Sequence, residues 1–96
     1  MSETAVIEVH DLPERHRYVI TVDGATAGVA MYRLREDVIT FIHTTVDDAY
    51  GGRGLGSRLA AAALDDARRR GLRVIARCPF IAGFITEHPA YQDLLA

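Results

Sequence analysis

The stretch with the most chemical potential is Tyr50-Gly51-Gly52-Arg53-Gly54-Leu55-Gly56-Ser57-Arg58, which runs straight into Leu59-Ala60-Ala61-Ala62-Ala63-Leu64. Closely spaced glycines form helix poorly, because each carries backbone freedom that folding must remove. The alanine-leucine run behind them is among the best helix material. A glycine turn opening onto a strong helix leaves unpaired N–H groups converging on one point. The macrodipole makes that point attractive to an anion, most often a phosphate. Elsewhere, Cys78 precedes Pro79, where a helix start favours the thiolate; a small apolar filler is the alternative. His43 is of the type that accepts a proton near neutrality, but a strand face shared with Ile39 and Phe41 equally suits a packed core histidine. Tyr91 reads either as a general acid or as a partly buried tyrosine with a bonded hydroxyl. His10 and His16 read as exposed, and His88 as a helix end before Pro89. No histidines, cysteines or carboxylates show metal-ligand spacing, so no metal is expected.

These residues need elements to hold them. Ala5 to Val9 alternates weakly, as a short edge strand, and Asp11-Leu12-Pro13-Glu14 reads as a turn. His16 to Val22 is a strand with Tyr18, Ile20 and Val22 on one face. Asp23-Gly24 is a hairpin signal, followed by an extended run from Thr26 to Leu34. Arg35-Glu36-Asp37 connects it to Val38–Val46, the longest strand candidate, whose β-branched residues and apolar faces suit a central position. After the glycine turn a helix is predicted from about Leu55 to Arg70. Gly56, Leu59, Ala60, Ala63, Leu64 and Ala67 share its inner face; Arg58, Asp65, Arg68 and Arg69 face outward. Arg68-Arg69-Arg70 complements the dipole at its end and Gly71 stops it. Leu72 to Ala76 is a second strand, parallel to the long one because strand, helix and strand call for a right-handed crossover. Pro79 opens a last helix to about Glu87 with Cys78 as N-cap. Tyr91 to Leu95 closes the chain as a turn or short helix. The expected class is α+β: an antiparallel meander of three to four strands, a crossover helix, one parallel strand and a short C-terminal helix.

Ninety-six residues make a single domain, 1–96, too small for a deep cavity of its own. A net charge of −2 argues against nucleic acid as a partner. All eleven basic residues are arginine, so no lysine serves catalysis. The single cysteine rules out an internal disulfide and fits a reducing compartment. Met1-Ser2-Glu3-Thr4 has no leader character, and no apolar run is long enough for a bilayer. The expected location is the cytoplasm, without membrane contact.

Which phosphate is the remaining question. A nucleoside-triphosphate loop needs lysine followed by Ser or Thr, and there is no lysine. A dinucleotide fingerprint needs Gly-x-Gly-x-x-Gly, and its third glycine would be Ser57 or Leu59 here. Arg/Gln-x-x-Gly-x-Gly/Ala after a long strand fits at Gly51-Gly52-Arg53-Gly54-Leu55-Gly56 in both glycines. With His43-Thr44-Thr45-Val46, Cys78-Pro79-Phe80, His88-Pro89-Ala90-Tyr91 and Asp93-Leu94-Leu95, the chain resembles the small, single-domain branch of the GCN5-related N-acetyltransferases.

The resemblance implies an acyltransferase that uses acetyl-coenzyme A and passes acetyl to an amine on a small molecule or protein, directly or through Cys78. An acyl-CoA-binding module with little transferase activity is the alternative. The resemblance places the cofactor's diphosphate on the N–H groups of Gly51, Gly52, Arg53, Gly54, Leu55 and Gly56, with Ser57 beside them and with Arg53 and Arg58 as either further phosphate contacts or solvated surface arginines, and its pantetheine arm beside Val46, where the parallel strands splay. Helix-terminus charge contributes only ~0.3–2 kcal/mol, whereas micromolar binding needs ~8 kcal/mol, so most affinity must come from elsewhere. Acetyl transfer needs a neutral amine, support for the carbonyl oxygen and a proton for the leaving thiolate. A backbone N–H near Val46 suits the second; His43 as base and Cys78 as acyl acceptor or acid are the candidates for the others. The chain departs from its relatives at Gly51, where Arg or Gln is usual. It departs again at Thr45, where small relatives commonly have glutamate, and at Phe84, near the place of a tyrosine acid in larger ones.

Overall fold

The computed structural model describes residues 5–96; the Met1–Thr4 segment, read above as lacking leader character, lies outside them. The strands are β1 (Ile7–Leu12), β2 (Arg17–Val22), β3 (Ala25–Arg35), β4 (Val38–Val46) and β5 (Arg73–Ala76). The helices are α1 (Leu55–Arg69), between β4 and β5, and α2 (Pro79–Glu87). Short 3-10 turns occupy Pro13–Arg15, Asp48–Tyr50 and Pro89–Leu94. One sheet runs in the order β1-β2-β3-β4-β5, antiparallel through β4, with β5 parallel to β4 across the α1 crossover. The expected architecture is present, with four strands in the meander.

Both helices pack on one face of the sheet. Tyr18, Ile20, Ile39 and Phe41 from the strands meet Leu55, Leu59 and Leu64 of α1 and Ile81 and Ile85 of α2 in a single buried cluster. Each fully buried leucine there contributes ~1.5–3 kcal/mol. Residues paired across strands share a face. The opposite, outer face therefore carries Met31 with His43, Arg33 with Thr40, Arg35 with Val38 and Thr40 with Ile75. Among the described residues no helix covers it.

Two local departures from expectation matter. β1 continues through Asp11 and Leu12, which read as a turn in the sequence. Asp11 sits opposite Tyr18 in the ladder, and its carboxylate accepts from the Tyr32 hydroxyl at 2.6 Å and from Arg70 at 3.3 Å. Those distant partners hold it in the strand, and the reversal falls instead at Pro13–Arg15, closed by His16 at φ 56°.

The second departure is a bulge. Met31 pairs with His43 but Tyr32 pairs with Phe41, leaving Ile42 as an extra residue on β4. One inserted residue resets which side chains face the core. His43 therefore does not share the face of Ile39 and Phe41, as the uninterrupted alternation implied; it is exposed on the outer face. Thr44 and Val46 turn inward in its place.

Candidate active site

The glycine turn leaves the start of α1 open. Gly52 and Gly54 adopt φ values of 79° and 72°, which side-chain-bearing residues rarely hold. Gly54 is the N-cap of α1 and has no side chain to close it, so the N–H groups of Leu55, Gly56 and Ser57 lack a capping partner. The preceding turn is fixed by Asp47, whose carboxylate accepts from the Ala49 N–H at 2.9 Å. Leu55 points its side chain into the core, so only its amide is available; Ser57 and Arg58 are exposed. Arg53 is exposed too, with its guanidinium 5.6 Å from the centre of the Tyr50 ring. A Cβ at Gly56 would lie 2.8 Å from the far end of the exposed Phe80 ring on α2, which would have to turn aside.

The free edge of β4 is the second component. Phe41 presents its carbonyl toward β5, accepting from the N–H groups of Arg77 and Cys78 at 3.0 Å each. Asp47, an even number of residues later, instead donates toward β3, to the Ala27 carbonyl at 2.7 Å. The Ile42 bulge has reversed the pairing edge. Because main-chain groups alternate along a strand, Thr44 and Val46 direct their N–H and C=O groups away from β3. β5 ends at Ala76, opposite Phe41, so among the described residues no strand lies beside Ile42–Val46 on that side. An extended, amide-bearing molecule can pair there as an added strand. Gly28 supports this edge from β3: a Cβ there would lie 2.8 Å from the Thr45 carbonyl oxygen.

Cys78 occupies the N-cap position of α2, but its side chain does not cap the helix. The residue is 2% exposed, and its thiol donates to the Thr44 hydroxyl at 3.2 Å. Cys78 and His43 thus lie on opposite faces of the sheet, one next to the splayed edge from within and the other open to solvent. Tyr91 is half-buried and its hydroxyl donates to Asp65 at 2.8 Å. Burial first, and then that carboxylate, push its ionisation above the ordinary tyrosine range. It is a bonded structural tyrosine. His88 bonds to the Phe84 carbonyl at 2.8 Å through Nδ1 and stacks on the Phe84 ring at 4.0 Å, closing α2. His10 and His16 are exposed, and the described residues hold no group of three side chains able to bind a metal ion.

Sequence reading missed two features. Thr44 as the partner of Cys78 is a contact over 34 positions, visible only once the bulge turns Thr44 inward. Asp66 is buried beneath the far end of α1, and its spacing from Leu59 and Ala63 already placed it on the apolar face.

An uncapped glycine turn after a β4 edge that β5 abandons, on a meander with one crossover, defines an acyltransferase of the GCN5-related kind. Residues 17–94 match the family described as GCN5-related N-acetyl-transferase, and the chain belongs to it. Protein NATD1 of Bos taurus is 33% identical over 90 residues, which cover 92% of this chain and 80% of that relative. NATD1 of Homo sapiens is 31% identical, with the same two coverages. Among solved structures, a GCN5-like protein from Staphylococcus aureus superposes with a TM-score of 0.71 at 28% identity, covering 93% of this chain and 87% of its own. The ribosomal-protein-S18-alanine N-acetyltransferase of Escherichia coli superposes at 0.59 and 28% identity, covering 64% of this chain and 41% of its own.

Proposed function

We propose that this chain, as one minimal domain acting in the cytoplasm, transfers acetyl from acetyl-coenzyme A to an amine. The observation that carries the reading is the pairing of two sets of unengaged main-chain donors at one end of the sheet. One set is the start of α1; the other is the β4 edge at Thr44 and Val46. The residues present suit coenzyme A on both counts. The amides of residues 51–57 fit a diphosphate, with Arg53 and Arg58 adding charge. The edge at Ile42–Val46 fits the two amides of a pantetheine arm. When bound, acetyl-CoA supplies the acetyl group as a thioester.

The chain's own residues then divide the work. The Val46 N–H supports the charge that develops on the carbonyl oxygen. His43, on the open face, takes the proton that an arriving amine must lose. Cys78 is the nearby group able to return a proton to the leaving thiolate, recovering its own from solvent, and Thr44 orients its S–H. Transfer runs directly to the amine rather than through an acetyl-cysteine, because the Cys78 sulfur is buried and engaged.

A second reading, an acyl-CoA-binding module with little transferase activity, draws on Thr45, which cannot act as a base, and on Phe84, which cannot donate a proton. Calorimetric titration with acetyl-CoA followed by thiol release over an amine panel decides between them. The transferase reading expects saturable binding and amine-dependent thiol. His43→Ala should cost ~10²-fold or more in turnover with binding retained. Heat without thiol release favours the module, and no heat with either coenzyme A or acetyl-CoA removes both. Cys78→Ala should cost turnover ~10²-fold through loss of the proton donor, with no acetylated cysteine in the wild-type protein by intact mass; an acetyl adduct on Cys78 would restore the two-step route.

A further inference from the structure

The uncovered outer face is chemically lopsided. At its β3–β5 end lies a groove of about 610 Å³ lined by Arg33, Arg35, Val38, Thr40, Ile42, Ile75 and Arg77, with Glu36 the one acid on its rim. Arg33, Arg35 and Arg77 are exposed, and among the described residues none has a carboxylate within ion-pair distance. The contrast with Arg68, Arg69 and Arg70 is direct, since each of those meets Asp93, Asp66 or Asp11. Three unpaired guanidiniums around an apolar floor of Val38, Ile42 and Ile75 are unusual in a chain whose net charge is −2.

The position matters as much as the charge. Ile42 and Arg77 are the residues immediately beyond the last β4–β5 pair, Phe41 with Ala76. The groove therefore runs up to the splay from the face opposite both helices. The start of α1 lies on the helix side, so the two faces separate cofactor from acceptor.

Resting on the transferase reading above, we infer that the acceptor is the amine of an acidic polypeptide segment, held on the outer face by Arg33, Arg35 and Arg77 as its amine reaches the splay. Spacing selects a polypeptide over a small dicarboxylic amine. Arg33 and Arg35 are alternate residues of one strand, ~7 Å apart, and Arg77 lies two strands away, ~10 Å across the sheet. An extended peptide presents alternate side chains at that same ~7 Å interval. A small dicarboxylic amine separates its carboxylates by only a few bonds and reaches one guanidinium at a time. Val38, Ile42 and Ile75 suit the aliphatic stems of glutamates or an interleaved apolar residue.

The test uses the full chain and matched peptides of acidic, neutral and basic composition, each with one free amine, along with free glutamate. Acetyl incorporation is read by mass spectrometry. The acidic peptide should be favoured over the basic one by about tenfold or more in kcat/KM. That preference should shrink as salt rises from ~50 to ~300 mM. Arg33→Glu with Arg77→Glu should reverse it, and Arg33→Lys with Arg77→Lys should keep it. Equal or greater use of the neutral or basic peptide, or free glutamate matching the acidic peptide, overturns the inference. Amide-resolved NMR titration with the acidic peptide, in the absence of acetyl-CoA, gives an independent reading. Shifts centred on Arg33, Arg35 and Arg77, together with acetyl transfer to that peptide, support the inference. Acetyl-CoA binding without any such shifts overturns it while leaving the transferase reading intact.

Discussion

The two ends of α1 are built on opposite plans. At its start Gly54 caps nothing, and successive amides point outward without acceptors. At its far end nearly every polar group is engaged. Asp66 accepts from the Tyr18 hydroxyl, Arg69 and Arg70, and Arg70 also meets Asp11, which holds the Tyr32 hydroxyl. Arg68 forks onto both oxygens of Asp93 at 2.8 and 2.9 Å, which holds that carboxyl below its usual range, and also donates to the Ala90 carbonyl. Main-chain donors left open to solvent are of little use to stability but are available to a ligand. Polar groups buried and satisfied fix one helix orientation against the meander. One helix thus carries the anchor at one end and unengaged main-chain donors at the other.

The largest expected effect strikes the anchored end. Asp66→Ala leaves the Tyr18 hydroxyl buried without its acceptor and Arg69 without its carboxylate, while Arg70 keeps only Asp11. It should cost ~2–4 kcal/mol, read as a lower urea midpoint at unchanged slope. Acetyl-CoA affinity of the protein that remains folded should not move. A loss of affinity matching the loss of stability would show that the two ends are not separable.

At the open end the two properties should move in opposite directions. Ser57 is the third residue of α1, where an acidic side chain complements the dipole and reaches back to the cap. Ser57→Glu should stabilise the fold by ~0.3–1 kcal/mol while weakening acetyl-CoA binding about tenfold, because the new carboxylate occupies the anion's place. Thermal unfolding and calorimetry on the same sample check both signs. Tighter binding, or destabilisation, would mean the first turn of α1 is not where the phosphates sit.

Much of this contrast was legible in the sequence, for identifiable reasons. The bounds of β4, Val38–Val46, follow from a run rich in β-branched residues, and α1 from alanine content between glycines. The open cap was equally plain, since glycine at the N-cap position is a local fact. Asp66 was missed although its spacing from Leu59 and Ala63 puts it on the apolar face, and nothing local said who its partners are. The bulge left no mark: Phe41-Ile42-His43 contains no glycine or proline, and its existence depends on how β4 is registered against β3. That one residue decided the face of His43 and the partner of Cys78. Asp11 misled for the same reason, since Asp-Leu-Pro-Glu is good turn chemistry and the groups that keep it extended, Tyr32 and Arg70, are far along the chain.

The smallest effect concerns the same anchored end under alkali. Burial is the main reason the Tyr18 hydroxyl is pushed up to about 12 from the ordinary 10, with the Asp11 carboxylate adding to it and Arg70 opposing. Burial and Asp11 push Tyr32 in the same direction. Asp11 from β1, Tyr32 from β3, Asp66 and Arg69 from α1 and Arg70 just past its end are the charged and titratable groups around Tyr18. A tyrosine whose folded pKa is raised holds its proton more tightly folded than unfolded. Its contribution is therefore complete below pH 10 and drains away as pH climbs through 10 toward 12. The melting temperature should fall across that window. Tyr18→Phe gives up one hydrogen bond, ~1 kcal/mol below pH 10, yet should fall less steeply above it, because the titrating hydroxyl is gone. Parallel curves for the two proteins would mean that the hydroxyl beneath α1 is not what ties the helix to the meander at high pH, and the anchored end would have to be traced to Arg68 and Asp93 instead.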